Sequence, residues 1–139
     1  MQYLTLWLNF YINPQKLAHQ LSDSPAPLWG FFAAIQRSLM DSLFLYLQLY
    51  IMGRVPPERS YLNFISNDKY YGALVLLSPV VLLLEWILAA AAIHLVLRIL
   101  SRKSKIDQIL NISGFIQLGI GTILLLWDWS WMTIGGLNQ

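Results

Sequence analysis

The chain has 139 residues, of which 57% are hydrophobic and only 12% are charged, and it contains no cysteine. Because an average soluble domain carries roughly 25% charged residues, this composition indicates a membrane protein. The formal net charge of +2 is too small to favour nucleic acid as a partner. The lack of cysteine excludes disulfides and thiolate metal sites.

The N-terminal part of the chain predicts a segment that lies on a membrane surface without crossing the membrane. Met1–Ile12 is too short to span a bilayer and lacks the basic start and cleavage site of a signal peptide. Asn13 and Pro14 form a typical helix start. The apolar residues of the short helix that follows share one face, as in interfacial helices; they are Leu17, Ala18 and Leu21. A loop with two prolines is expected at residues 22–27.

Residues 28–52 form the first run long enough to cross a membrane, although Gln36, Arg37, Asp41 and Gln48 interrupt it. Arg37 and Asp41 are four residues apart and Gln48 lies seven residues further on, so a regular helix places all three on one face. We therefore predict a membrane helix that buries this polar stripe against other helices.

Residues 72–97 form the most apolar run, and these 26 residues rise about 39 Å as a helix, enough to cross a hydrocarbon core. Glu85 is the strongest functional candidate, because a carboxylate at membrane depth is costly. Ala89 and Ala92 share its face, so another helix should pack closely there. We expect Glu85 to face Arg37 or a polar group of the third helix, and a role in proton or ion transport is the alternative.

Residues 109–127 form the third run, and small and amide side chains recur along it every three or four residues. Such a stripe lets helices approach closely and form hydrogen bonds across their interface. The predicted helix-packing residues are Gly114, Gln117 and Gly121, together with Asn111. A tryptophan cluster at residues 127–131 is typical of a membrane–water interface.

These runs predict an all-α integral membrane protein with three transmembrane helices, near residues 28–52, 72–100 and 109–127. Residues 1–27 are the N-terminal interfacial segment, with its amphipathic helix, and residues 28–139 the transmembrane helical domain. The predicted contacts with lipid headgroups are Arg98, Arg102, Lys103 and Lys105, which outnumber Asp107 in their loop. Because basic loops stay in the cytoplasm, we expect the N-terminus and the 98–107 loop there and the C-terminus on the opposite side.

No motif for catalysis, a cofactor or a metal is found. The chain lacks a Gly-x-Ser-Gly nucleophile segment, an HExxH pair, a Walker loop and a GxGxxG loop. Ser78 and His94 would lie about 24 Å apart on one helix, too far for a nucleophile–base pair. His19 and His94 are conceivable haem ligands, but a histidine near a helix end is more often an interfacial residue. We therefore predict no enzyme activity, no cofactor and no metal site.

Several separate segments of the chain share a residue pattern with a known family of membrane proteins. They are Phe10–Leu21, Pro79, Trp86, Ala92–Leu95, Arg98–Leu100 and Gly114–Phe115. These segments resemble the Yip domain family of Ypt/Rab-interacting membrane proteins, and Phe10–Leu21 is similar to the family's N-terminal segment. Ser101 and Arg102 stand where the family usually has two glycines. Because members usually have five spans, the resemblance implies a short or truncated member. The acidic, aromatic motif of the Rab-associated members is absent, so a GTPase partner is not implied.

Two functions are compatible with these patterns. The first is a non-catalytic membrane scaffold or accessory subunit, whose partners are membrane lipids and other membrane protein subunits. The second is a membrane component that transports a substrate or conducts protons or ions, and that uses Glu85 with Arg37 and Asp41. We favour the first, because no broken helix supports transport.

Overall fold

The structure is a computed structural model that describes residues 2–23, 28–56 and 64–136. Within these ranges all regular secondary structure is helical, which confirms the predicted all-α class. The elements are α1 (Gln2–Ile12), α2 (Pro14–Ser22), α3 (Leu28–Asp41), a π-helical segment (Ser42–Tyr46), α4 (Leu47–Ile51), α5 (Tyr70–Ile99) and α6 (Ile106–Gly136). Residues 24–27 of the loop predicted at 22–27, and residues 57–63 of the connection between α4 and α5, lie outside the described residues.

Two helices of the described chain, α5 and α6, are long and apolar enough to cross a membrane. Residues Tyr70–Ile99 have a mean hydropathy of 2.4 over their most apolar stretch, and Ile106–Ile134 have 1.9. Of the three transmembrane helices predicted, these two are therefore long and apolar enough to cross a membrane, and the first predicted span is not. The run from Leu28 to Ile51 is helical, but the π-helical segment divides it into pieces of 14, 5 and 5 residues.

Helices α3 and α6 run parallel and touch through their backbones. Gly30 of α3 meets Gly114 of α6, and a Cβ on Gly114 would lie only 2.7 Å from Gly30 Cα. Seven residues further along both helices, the side chain of Arg37 lies against Gly121. Small residues at both crossings allow this close approach.

Helix α5 runs antiparallel to α6 and is held to it by two side chains that bond to backbone carbonyls. Trp86 Nε1 donates to Leu110 O at 3.0 Å, and Gln117 Nε2 donates to Leu82 O at 3.3 Å. The antiparallel direction follows because the later residue on α5 meets the earlier residue on α6.

The N-terminal helices α1 and α2 pack against α3 and α6. Asn13 accepts a hydrogen bond from Lys16 N at 3.1 Å, and Pro14 is the first residue of α2, which confirms the predicted helix start. A single hydrophobic core joins the four helices; its buried residues are Leu6, Leu17, Leu21, Ala33, Phe115 and Leu118. The segments predicted as an interfacial layer and a transmembrane domain therefore share one core.

The N-terminal helices also contact α6 over a considerable part of its length, and their predicted position on a membrane surface stays a prediction. Gln108 Nε2, near the start of α6, donates to Ser22 O at 2.7 Å. Tyr11 Oη donates to Gly119 O at 3.1 Å, and Gly119 lies about 20 Å along α6 from its first residue. Helices α1 and α2 thus contact α6 from its first turn to its middle.

Candidate functional site

The structure places the predicted polar residues in two separate locations. Arg37 and Asp41 are buried between α3 and α6, with 9% and 7% of their surfaces exposed. Arg37 Nη1 donates to Asp41 Oδ1, so the pair forms within one helix. Glu85 instead lies exposed on α5. The expectation that Glu85 faces Arg37 is therefore wrong, because Arg37 takes its partner from the next turn of its own helix. The alternative expectation, a polar group of the third predicted helix, agrees with the position of Gln117 in the same groove as Glu85.

The π-helical segment changes which residues share a face with this ion pair. Leu47 N donates to Ser42 O, five residues back, which widens the helix after Asp41. The seven-residue spacing from Asp41 to Gln48 therefore no longer places them on one face, and Gln48 is half-buried on α4. Segments of this kind occur often at functional sites.

Ser42, the first residue of the π-helical segment, compensates for a proline in α5. Pro79 has no N–H, so it leaves Val75 O without its partner in the helix. Ser42 Oγ donates to that carbonyl at 2.6 Å. A hydroxyl from a neighbouring helix is a common solution for proline inside membrane helices. Sequence reasoning missed Ser42, although a proline within an apolar helix is itself the signal that a donor is needed.

Two buried polar atoms beside these helices lack a hydrogen-bond partner within the described chain. Ser78 Oγ is one, and the residue is only 7% exposed. Gln117 Oε1 is the other, although the amide nitrogen of the same residue bonds to α5. Such atoms are costly in an apolar setting unless a further group covers them.

Glu85 lines a groove of about 220 Å³ between α5 and α6. Gln117 and Ser113 line the side that α6 contributes, and Ala89 continues the floor one turn along α5. Ala89 and Ala92, predicted to pack against another helix, are exposed in the single chain, whereas Ala90 is fully buried. The small-residue face beside Glu85 is therefore open in the single chain.

The predicted helix-packing stripe on α6 serves two neighbours. Gly114 and Gly121 contact α3, whereas Gln117 bonds to α5. Asn111 is fully buried, and its Oδ1 accepts a hydrogen bond from Gly30 N at 2.9 Å. Gly30 N belongs to the first turn of α3, where backbone donors have no partner within the helix. Asn111 thus caps α3 from a different helix.

The four predicted headgroup contacts, Arg98, Arg102, Lys103 and Lys105, lie together around one cavity at the α5–α6 connection. His94 belongs to the same region, since its Nδ1 lies 3.0 Å from Ser104 Oγ. This hydrogen bond therefore holds the α5–α6 connection against the end of α5. No group of metal-binding side chains is found among the described residues.

A larger cavity, of about 640 Å³, lies between α1 and the outer side of α3. Its polar side chains, Tyr3 and Gln36, bond to each other at 2.7 Å, and the rest of its lining is apolar or aromatic. It therefore offers no chemistry of its own.

Comparisons of the chain with protein-family models, with curated proteins and with solved structures find no match. The Yip resemblance stays a prediction.

Proposed function

We propose that the chain is an integral membrane accessory subunit without catalytic activity, which binds a transmembrane helix of a different protein beside Glu85. Helix α5 supports the membrane setting, because only 11% of its most apolar stretch is buried within the structure. A soluble protein of this size would expose far less apolar surface. In this proposal Leu28–Ile51 is a third span. Its Arg37–Asp41 ion pair can lie at membrane depth because α6 packs over it.

The observation that carries the proposal is the exposed position of Glu85. It lies near the middle of α5, and no ion pair joins it to the described residues. Gln117 Oε1, on the other side of the groove, also lacks a donor. Because polar groups at membrane depth face protein or a water-filled cavity, both oxygens need a donor from outside this chain. A helix that carries a lysine or an arginine fits the groove.

The partner in this proposal is a different protein, because the proposed spans of a second copy offer no unpaired cation. No lysine or arginine lies between Lys69 and Arg98 or after Lys105. Arg37 is buried and already paired. A symmetric dimer across the groove would bring two Glu85 carboxylates together, which is unfavourable.

The test compares two tryptophan substitutions on α5. Ala89→Trp fills the groove, whereas Ala91→Trp, about 200° around the helix, alters an exposed alanine away from it. The tagged full chain is extracted with its native lipids, and the mass of each particle is measured. We expect a wild-type particle with one further polypeptide in fixed stoichiometry, which Ala89→Trp loses and Ala91→Trp keeps. A wild-type monomer, a homodimer, or equal loss in both variants would overturn the proposal.

The proposed membrane topology places the N-terminus and the basic 98–107 loop in the cytoplasm. The bond between Gln108 and Ser22 supports one part of it, because it keeps the end of α2 beside the 98–107 loop. Both are proposed to be cytoplasmic, with the C-terminus opposite. The Yip-like resemblance contributes only a multi-pass architecture, and no GTPase partner is proposed.

A conducting function is the second candidate, and Ser78 is the observation in its favour. Its unpartnered hydroxyl lies one turn from Val75, the residue that contacts Ser42 beside Asp41. Glu85 forms no ion pair with these residues, and a pathway through Arg37, Asp41 and Ser78 does not require it. Proton flux into vesicles that contain the full chain tests this function: flux that Asp41→Asn abolishes would favour conduction.

A further inference from the structure

Four cationic side chains line one cavity at the connection between α5 and α6. Arg98 belongs to the last turn of α5, and Arg102, Lys103 and Lys105 belong to the connection. The cavity has a volume of about 520 Å³ and is also lined by Ser104 and Gln108. Within the described part of the chain, none of the four cations forms an ion pair. Their charge is therefore available to a ligand.

A strained backbone turn fixes this arrangement. Ser101 has a φ of 55°, in the left-handed region where glycine is favoured. Ser101 N donates to Arg98 O at 3.0 Å, and Arg102 N donates to Leu97 O at 2.9 Å. These two bonds define a Schellman cap. A left-handed residue other than glycine costs energy and is often found where a site needs a particular geometry.

The surroundings of the cavity combine positive charge with apolar surface. Asp107 is the acid in the first turn of α6, and it does not line the cavity. Ile99 and Leu100, at the end of α5, are 72% and 63% exposed. A ligand with a negative head and apolar chains would satisfy both kinds of surface. The volume is also in the range of small-molecule sites, roughly 300–1,000 Å³.

We propose that this cavity binds the headgroup of an anionic phospholipid, with its acyl chains against Ile99 and Leu100. Four cations around one cavity favour a headgroup that carries two phosphates over a headgroup with one. The proposal rests on the membrane embedding of the proposed function but not on the partner helix beside Glu85. Its test therefore uses the chain alone.

The experiment measures lipid binding to the purified full chain in detergent by native mass spectrometry. The probes are diphosphatidylglycerol, which has two phosphates, phosphatidylglycerol, which has one, and zwitterionic phosphatidylcholine. The variant Lys103→Gln/Lys105→Gln removes two cations from the cavity, and Lys16→Gln/Lys69→Gln removes two exposed lysines elsewhere. Because each cation near an anionic lipid surface contributes on the order of 1 kcal/mol, we expect the first variant to weaken diphosphatidylglycerol binding about 30-fold. The control variant should bind like wild type.

Each other outcome has a definite meaning. Equal weakening in both double variants would show that net charge and not the cavity attracts the lipid, which would overturn the proposal. Binding of inorganic phosphate or of the deacylated headgroup as tightly as the lipid would show a soluble phosphate ligand. Lys103→Arg/Lys105→Arg should restore binding, and an unchanged circular dichroism spectrum shows that each variant is folded. Neither result depends on whether Ala89→Trp releases a partner.

Discussion

Helix α6 packs against α3 and against α5 in opposite ways. Against α3 the backbones touch at Gly30 and Gly114, and the polar side chains at the interface have partners. Against α5 the contact leaves Glu85 exposed and Gln117 Oε1 without a donor. The polar groups of the α3–α6 interface have partners within this chain, whereas the proposed function assigns a partner protein to the α5–α6 groove. Substitutions at the first should therefore affect folding, and substitutions at the second should affect assembly.

The largest change in the free energy of unfolding should come from a substitution that breaks the buried ion pair. Asp41→Leu leaves Arg37 buried without a partner, and we expect it to lower the free energy of unfolding by about 3–5 kcal/mol. Arg37→Leu/Asp41→Leu removes both charges and should recover most of that loss. Reversible unfolding in mixed micelles measures both. A double variant as unstable as Asp41→Leu would show that packing around Arg37, and not its charge, is what matters.

The close approach of α3 and α6 should give the next largest effect. A methyl group on Gly114 meets the backbone of Gly30, which cannot move aside as a side chain can. We expect Gly114→Ala to cost about 2–3 kcal/mol of unfolding free energy. Gly72→Ala is the matched control, because its Cβ meets only the ring of Tyr50, at 3.0 Å. Equal costs in the two variants would contradict the backbone contact.

The hydrogen bond from Ser42, in the π-helical segment, to α5 should give a smaller effect, and that effect should depend on the presence of Pro79. Ser42→Ala leaves Val75 O without a donor and should cost about 1–2 kcal/mol. Pro79→Ala supplies an N–H to the same carbonyl, so Ser42→Ala should be nearly neutral in that background. The double-mutant cycle is measured by the same unfolding titration. Additive costs would mean that the hydroxyl does not compensate for the proline.

The sequence predicts the helices of this fold much better than it predicts their partners. Apolar run length locates α5 and α6, because hydrophobicity and helix rise act locally. The pairing of Arg37 depended on a choice between Asp41 on its own helix and Glu85 on another, and sequence spacing does not contain the distance between helices. The π-helical segment likewise moved Gln48 away from the face that regular spacing gives. Gly114 and Gly121 were predictable as packing residues, but Gly30, the counterpart of Gly114 on α3, was not.

The smallest change in the free energy of unfolding should come from a substitution of Glu85. This substitution distinguishes the two interfaces most clearly, because it should affect partner binding and not folding. Because Glu85 is exposed and forms no ion pair with the described residues, Glu85→Leu should change the unfolding free energy of the isolated chain by less than about 0.5 kcal/mol. The same substitution should release the partner from the native particle, since the partner's donor then faces a leucine. Glu85→Gln keeps an acceptor oxygen and should weaken binding less than Glu85→Leu. If Glu85→Leu instead destabilised the isolated chain as strongly as Asp41→Leu, Glu85 would have a partner within this chain. The groove between α5 and α6 would then be closed from inside, and a second protein would have no reason to bind there.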